Sequence, residues 1–150
     1  MPGQKTSYEK PTPITITCDG TNTTYWRFAS LPTFKELQRN TPNIVRAQDK
    51  LRPLLEKNLI TALIDLEWQQ QHDYLHHRGS GLDRVLGKIL AQHNVLIIVD
   101  MQKFLQTDKL TQATLLGRIL QNKRIAKKCK MTMVVLLQNP LRFEHIDNVF

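Results

Sequence analysis

Hydrophobic positions along this chain come in short dense runs separated by longer amphipathic stretches. Ile14-Thr-Ile-Thr-Cys18 alternates β-branched residues and predicts a strand. It stops at Asp19-Gly20-Thr21-Asn22, a turn signal. Three further runs are almost wholly apolar: residues 59–64 before Asp65, residues 95–99 before Asp100, and residues 131–137 before Asn139-Pro140. Runs this short and uniform read as strands buried on both faces. The intervening segments carry helical spacing. Residues 31–37 predict a short helix with Thr33 as N-cap. Residues 43–57 place Ile44, Val45, Leu51, Leu54 and Leu55 at helical intervals, with a kink at Pro53. Residues 67–77 read as a polar helix, broken by Arg78-Gly-Ser-Gly81. Residues 82–92 predict an amphipathic helix with Val85, Leu86, Ile89 and Leu90 inward, and Thr107 or Asp108 caps a long helix to about Lys128. Tyr25, Trp26 and Phe28 form an aromatic stretch of no clear type, as does the final segment. Residues 1–13, with Pro2, Pro11 and Pro13, read as a flexible arm.

Strands that alternate with helices predict a single α/β domain over residues 14–150. The expected sheet is mainly parallel, four- to five-stranded, with helices on both faces. Its core should contain Ile16, Leu63, Ile64, Leu86, Ile89, Leu96, Ile97, Ile98, Val134, Val135 and Leu136. Sites in such sheets lie beyond the carboxyl ends of the strands. Three of the expected strands end there in an acid: Asp19, Asp65 and Asp100.

Composition narrows the class. At 150 residues, 41% apolar and 23% charged, the chain is ordinary globular material, which excludes wholesale disorder and collagen-like repeats. Two cysteines without a CxxC imply no disulfide framework and a reducing compartment such as the cytoplasm. No run reaches the length of a membrane span, and no apolar leader is visible at the start. Charge is more informative. Lys and Arg number 21 against 13 Asp and Glu, a net +8. Between Asp108 and Glu144 there is no acid and there are eight basic residues, so the whole excess sits in the C-terminal third. Such asymmetry points to a polyanion, nucleic acid or another, bound through its phosphates, with Lys123, Arg124, Lys127, Lys128 and Lys130 the contact residues. A solvated helix face is the plainer account. A protein partner or a homo-oligomer stays open.

Carboxylates gathered at one sheet edge repel one another unless a cation joins them or their pKa values rise. A hard divalent ion, Mg²⁺ or Mn²⁺, held by such acids can activate water for phosphoryl displacement. Asp19, Asp65, Glu67, Asp83 and Asp100 are the candidates. Taken singly, each is also explained as a turn residue or helix cap, Asp83 above all. His72 and His76 stand four apart on the expected polar helix, a spacing that can bind zinc but that also suits a solvated face.

The segment from Leu82-Asp83 through Val95-Leu-Ile-Ile-Val-Asp100-Met-Gln-Lys-Phe-Leu resembles the C-terminal core of PIN-like nucleases, with an acid opening a helix and a second acid ending the next strand. That resemblance implies divalent-metal-dependent cleavage of RNA. Its catalytic acids would be Asp19, Glu67, Asp83 and Asp100, and its metal ligands Asp19, Asp83 and Asp100. The same strand, the long basic helix and Met131-Thr-Met-Val-Val-Leu-Leu-Gln-Asn139 also resemble the Walker B and sensor strands of AAA-type ATPases. With no GxxxxGK[ST] loop, this second resemblance implies a non-hydrolysing scaffold or interaction module in a nucleic-acid assembly.

Overall fold

The computed structural model describes residues 10–48, 51–69, 73, 79–139 and 141–150. Seven strands run in the order β1 (Thr12–Cys18), β2 (Thr21–Phe28), β3 (Asn43–Arg46), β4 (Ala62–Ile64), β5 (Leu96–Asp100), β6 (Met133–Leu137) and β7 (Arg142–His145). Each pairs with the next, and β7 meets β1, so the sheet closes into a barrel. The helices are α1 (Phe34–Arg39), α2 (Arg52–Glu56), α3 (Arg84–Gln92), α4 (Met101–Leu105) and α5 (Lys109–Cys129).

This corrects the expected open sheet of four to five strands with helices on both faces. The four anticipated strands are present, but β2, β3 and β7 join them and close the sheet. Strands β2 to β6 are parallel to their neighbours, whereas β1 is antiparallel to β2 and β7 antiparallel to β6. Closure leaves one face with no room for helices. Ile16, Ile44, Ala62, Ile64, Ile98, Val134 and Leu136 pack there against one another, with Leu96, Tyr25 and Phe143 at the margins. The opposite, outward positions Val45, Leu63, Ile97, Val99, Met133 and Val135 pack against residues of α1, α2, α3 and α5. One side chain in two therefore points into the barrel and the next into the helical layer.

The unpredicted strands have local causes. Asp19 and Gly20 both take positive φ, +50° and +76°, the two-residue turn that matches hairpin twist. That turn folds β2 back on β1 along its full length. β2 presents Tyr25 inward, edge-to-face with Phe143 of β7 at 5.7 Å, and Phe28 outward. Residues 43–57 are not one kinked helix: β-branched Ile44 and Val45 form β3, and Pro53 sits in the first turn of a separate α2. A buried Asn43 ties β3 to the start of β4. Its amide donates to the Leu59 carbonyl at 2.7 Å and accepts from the Thr61 N–H at 3.1 Å. In α3, Leu90 is buried, Leu86 and Ile89 are half-buried, and Val85 faces solvent rather than the core. The expected polar helix after Glu67 begins as a 3-10 turn, Leu66–Trp68, and His72 and His76 lie outside the described residues.

Replacing Asn43 by Ala leaves the Leu59 carbonyl and the Thr61 N–H without partners in the interior. The expected loss is about 2 kcal/mol, read as a lower urea midpoint with an unchanged m value.

Candidate functional site

The parallel strands bring their carboxyl ends to one mouth of the barrel. Period-two alternation carries the inward-facing rows up through apolar layers and ends them in charge: Tyr25 is followed by Arg27, Ile44 by Arg46, and Ile98 by Asp100. Asp100 caps α4, its Oδ1 accepting the Lys103 N–H at 3.3 Å, while Oδ2 meets Arg27 Nη2 at 3.5 Å. Asp65 follows β4 in a left-handed conformation, φ +68°. Its Oδ2 accepts from Lys103 Nζ at 3.1 Å and faces Arg46 Nε at 3.8 Å. Lys103 Nζ also stands 4.5 Å from the centre of the Trp68 ring. Arg46 and Lys103 are isolated cations in the sequence, and Arg27 stands out there only as the neighbour of Tyr25, Trp26 and Phe28. The signal that marks two of them is the strand alternation leading to Arg27 and Arg46.

Glu67 lies in the turn behind these groups and is almost wholly buried. Burial pushes its carboxyl up to about 7, Asp65 and Asp100 add to the rise, and its own backbone N–H and Lys103 oppose it. Arg118 of α5 fixes this turn from below. Its Nη1 donates to the Glu67 carbonyl at 3.0 Å, and its Nε pairs with Asp73 at 2.9 Å. One of the eight basic residues of the C-terminal third is thus a buried structural group.

The four acids expected to share a metal do not meet. Asp65 and Asp100 stand at the mouth, and both are within electrostatic reach of Glu67. Asp83 is exposed and caps α3, accepting the Leu86 N–H at 2.7 Å. Asp19 forms the hairpin turn at the end of β1, which runs opposite to β2–β6, so it stands at the other end of the barrel from Asp100. Among the described residues no group of three or more His, Cys, Asp and Glu side chains is arranged to hold a metal ion. The set Asp19, Asp83 and Asp100 does not fit Mg²⁺ or Mn²⁺, and the carboxylates at the mouth already face cations. Asn139, the sensor-like residue, lies in the turn after β6, while Asp100 is in register with Leu136.

The five expected contact residues, four on α5 and Lys130 at its C-cap, divide over two sides of the helix. Its buried ridge is Leu115, Ile119, Asn122 and Ala126. On one flank Lys123, Lys127 and Lys130 border a groove of about 680 Å³ with His145 and Asp147. Met131, Met133 and Ile146 line its apolar floor. Lys123 is committed within it, 3.1 Å from Asp147 and 2.7 Å from the Phe150 carbonyl oxygen. The hydrogen bond from Lys123 holds the Asp147 carboxyl below its ordinary range. Lys127 and Lys130 are exposed. Arg124 and Lys128 border a second, smaller groove with Arg84. The larger groove lies where β6 begins and β7 ends, at the opposite end of the barrel from the charged mouth.

No protein-family model matches the sequence, and no curated protein matches it. Among solved structures the chain is similar to one from a cryo-EM structure of archaeal ribonuclease P with mature tRNA, at 20% identity and a TM-score of 0.54. The match covers 65% of this chain and 40% of that one, so the present chain spans well under half of its neighbour's length. A likeness at this identity is one of fold. It carries neither the PIN-like nor the AAA-type resemblance. Among the described residues no helix is long and apolar enough to cross a membrane.

Glu67 makes stability depend on pH in a definite sense. The unfolded carboxyl loses its proton near 4.5, whereas the folded one keeps it to about 7. Its contribution therefore falls as pH rises from 4.5 to 7 and is level above that. A Glu67→Gln variant has no such term. Its melting temperature should exceed that of the wild type at pH 8, and the gap should shrink as pH is lowered towards 4.5.

Proposed function

We propose that the protein binds RNA through phosphate contacts made by α5 and its C-cap, with Lys127 and Lys130 at the larger groove and Arg124 and Lys128 on the other flank. The observation that carries this reading is the exposure of Arg124, Lys127, Lys128 and Lys130, none of which is ion-paired among the described residues, whereas Lys123 is tied to Asp147. Phosphate contacts of this kind give affinity and little sequence preference. The solved neighbour comes from a structure of archaeal ribonuclease P with mature tRNA. That setting supports RNA as the polyanion and a protein assembly as the context. Cleavage by the four-acid metal mechanism is not part of the proposal, because Asp19 serves the hairpin turn at the far end of the barrel and Asp83 is an exposed helix cap.

The test is the salt dependence of binding to a tRNA-sized RNA. Charge reversal at Lys127 and Lys130 should weaken binding and lower the slope of log K against log salt by about 1 to 2, since each lost phosphate contact removes 0.7 to 0.9. The double variant should melt as the wild type does, because both side chains are exposed. Unchanged affinity and slope would refute the assignment.

A further inference from the structure

The charged layer at the mouth has more binding capacity than its own residues use. Arg27 offers one nitrogen to Asp100 at 3.5 Å and Arg46 one to Asp65 at 3.8 Å. These are single, long contacts from guanidinium groups that each carry five N–H donors, unlike the short paired bonds such groups form when fully engaged. Their side chains are 36% and 50% exposed, so the unused donors reach solvent. Behind them in the same charged layer are two acceptors in the opposite condition. Asp65 Oδ1 and Glu67 Oε2 are buried and lack a hydrogen-bond partner, in residues only 4% and 2% exposed. A buried acceptor without a donor costs free energy in the free protein, and a ligand that supplies the donor recovers it. The arrangement stands at the carboxyl ends of parallel barrel strands, where such folds place their sites.

We propose that the barrel mouth is a binding site for a hydroxylated phosphate monoester, a nucleotide being the member that suits an RNA-associated protein. Arg27 and Arg46, from adjacent strands, take the phosphate oxygens. Lys103 adds a third positive charge from above Asp65. Asp65 Oδ1 and Glu67 Oε2 accept hydrogen bonds from the sugar hydroxyls. A bare phosphate satisfies only the guanidinium groups, and an unphosphorylated nucleoside only the carboxyl oxygens. The ligand must carry both. A free mononucleotide and the phosphorylated end of an RNA share this chemistry.

Calorimetric titration of the full chain with adenosine 5′-monophosphate, adenosine and inorganic phosphate tests the site. Saturable binding of the monophosphate is expected, with the other two at least about tenfold weaker. Arg27→Gln combined with Arg46→Gln should weaken it by about tenfold or more, and Glu67→Gln, which should fold at least as stably as the wild type, by several-fold. Charge reversal at Lys127 and Lys130 should leave it unchanged, which separates this site from the α5 surface whichever of the two readings fails. Competition by a 5′-phosphorylated oligoribonucleotide, but not by its dephosphorylated form, assigns the site to an RNA end; competition by neither assigns it to the free nucleotide. The proposal is overturned by an absence of saturable binding at millimolar ligand, by inorganic phosphate binding as tightly as the monophosphate (an adventitious ion only), by Glu67→Gln binding the monophosphate as tightly as the wild type, or by loss of binding in the α5 variant alone.

Discussion

Side chains that point into a closed barrel have only one another to pack against. Everything else in this structure follows from that. Ile16, Ile44, Ala62, Ile64, Ile98, Val134 and Leu136 fill the space at two-residue intervals, so the strands must hold a register that keeps them inside. A slip of one residue in β5 would turn Ile98 outward and Val99 inward, breaking both cores at once. The parallel connections then require helices, and the helices have only the outer face to cover. The same alternation, continued past the last apolar layer, brings Arg27, Arg46 and Asp100 to the mouth without a loop to carry them.

Much of this was legible in the chain. The continuous apolar runs at residues 59–64, 95–99 and 131–137 became β4, β5 and β6. The helix starts were written in their caps: Thr33 with Glu36 forms the reciprocal pair at α1, and Asp108 accepts from Thr111 at α5. What escaped was the set of strands that closes the sheet. β3 offers only four residues, and Ile44 and Val45 fall in helical phase with Leu51 and Leu55 of the next element. β7 offers four as well, with Phe143 alone fully apolar among them. β2 is rich in threonine, and its aromatics face both ways. Without these strands the alternation of strand and helix describes an open sheet.

The candidate site was legible residue by residue and misread as a set. Asp19, Asp65 and Asp100 all follow strands in the sequence, but only Asp65 and Asp100 stand at the same end of the barrel, with Glu67 close behind them. A common site for all three strand-end acids needs every strand to run one way. The direction of β1 is decided by the Asp19-Gly20 turn, so the residue taken for a metal ligand is the one that sends the strand away from the site. On α5 helical geometry separates Lys127 from Lys128 by about 100° and so faces them towards different grooves, a division that a run of basic residues in the sequence does not display.

The barrel closes unevenly. β1 meets β2 along seven paired positions and meets β7 at one, Thr17 opposite Arg142. The joint is therefore a seam rather than a wall. Few backbone hydrogen bonds have to break for β1 to part from β7 along it, while β2 stays paired with β3 at three positions and the strands behind keep their pairing. Amides of the hairpin on the seam side belong to the low-energy end of local opening, and those of β5 and β6 to the high-energy end. A closed ring that can part at one joint gives its interior a route to the surface that does not pass through the charged mouth.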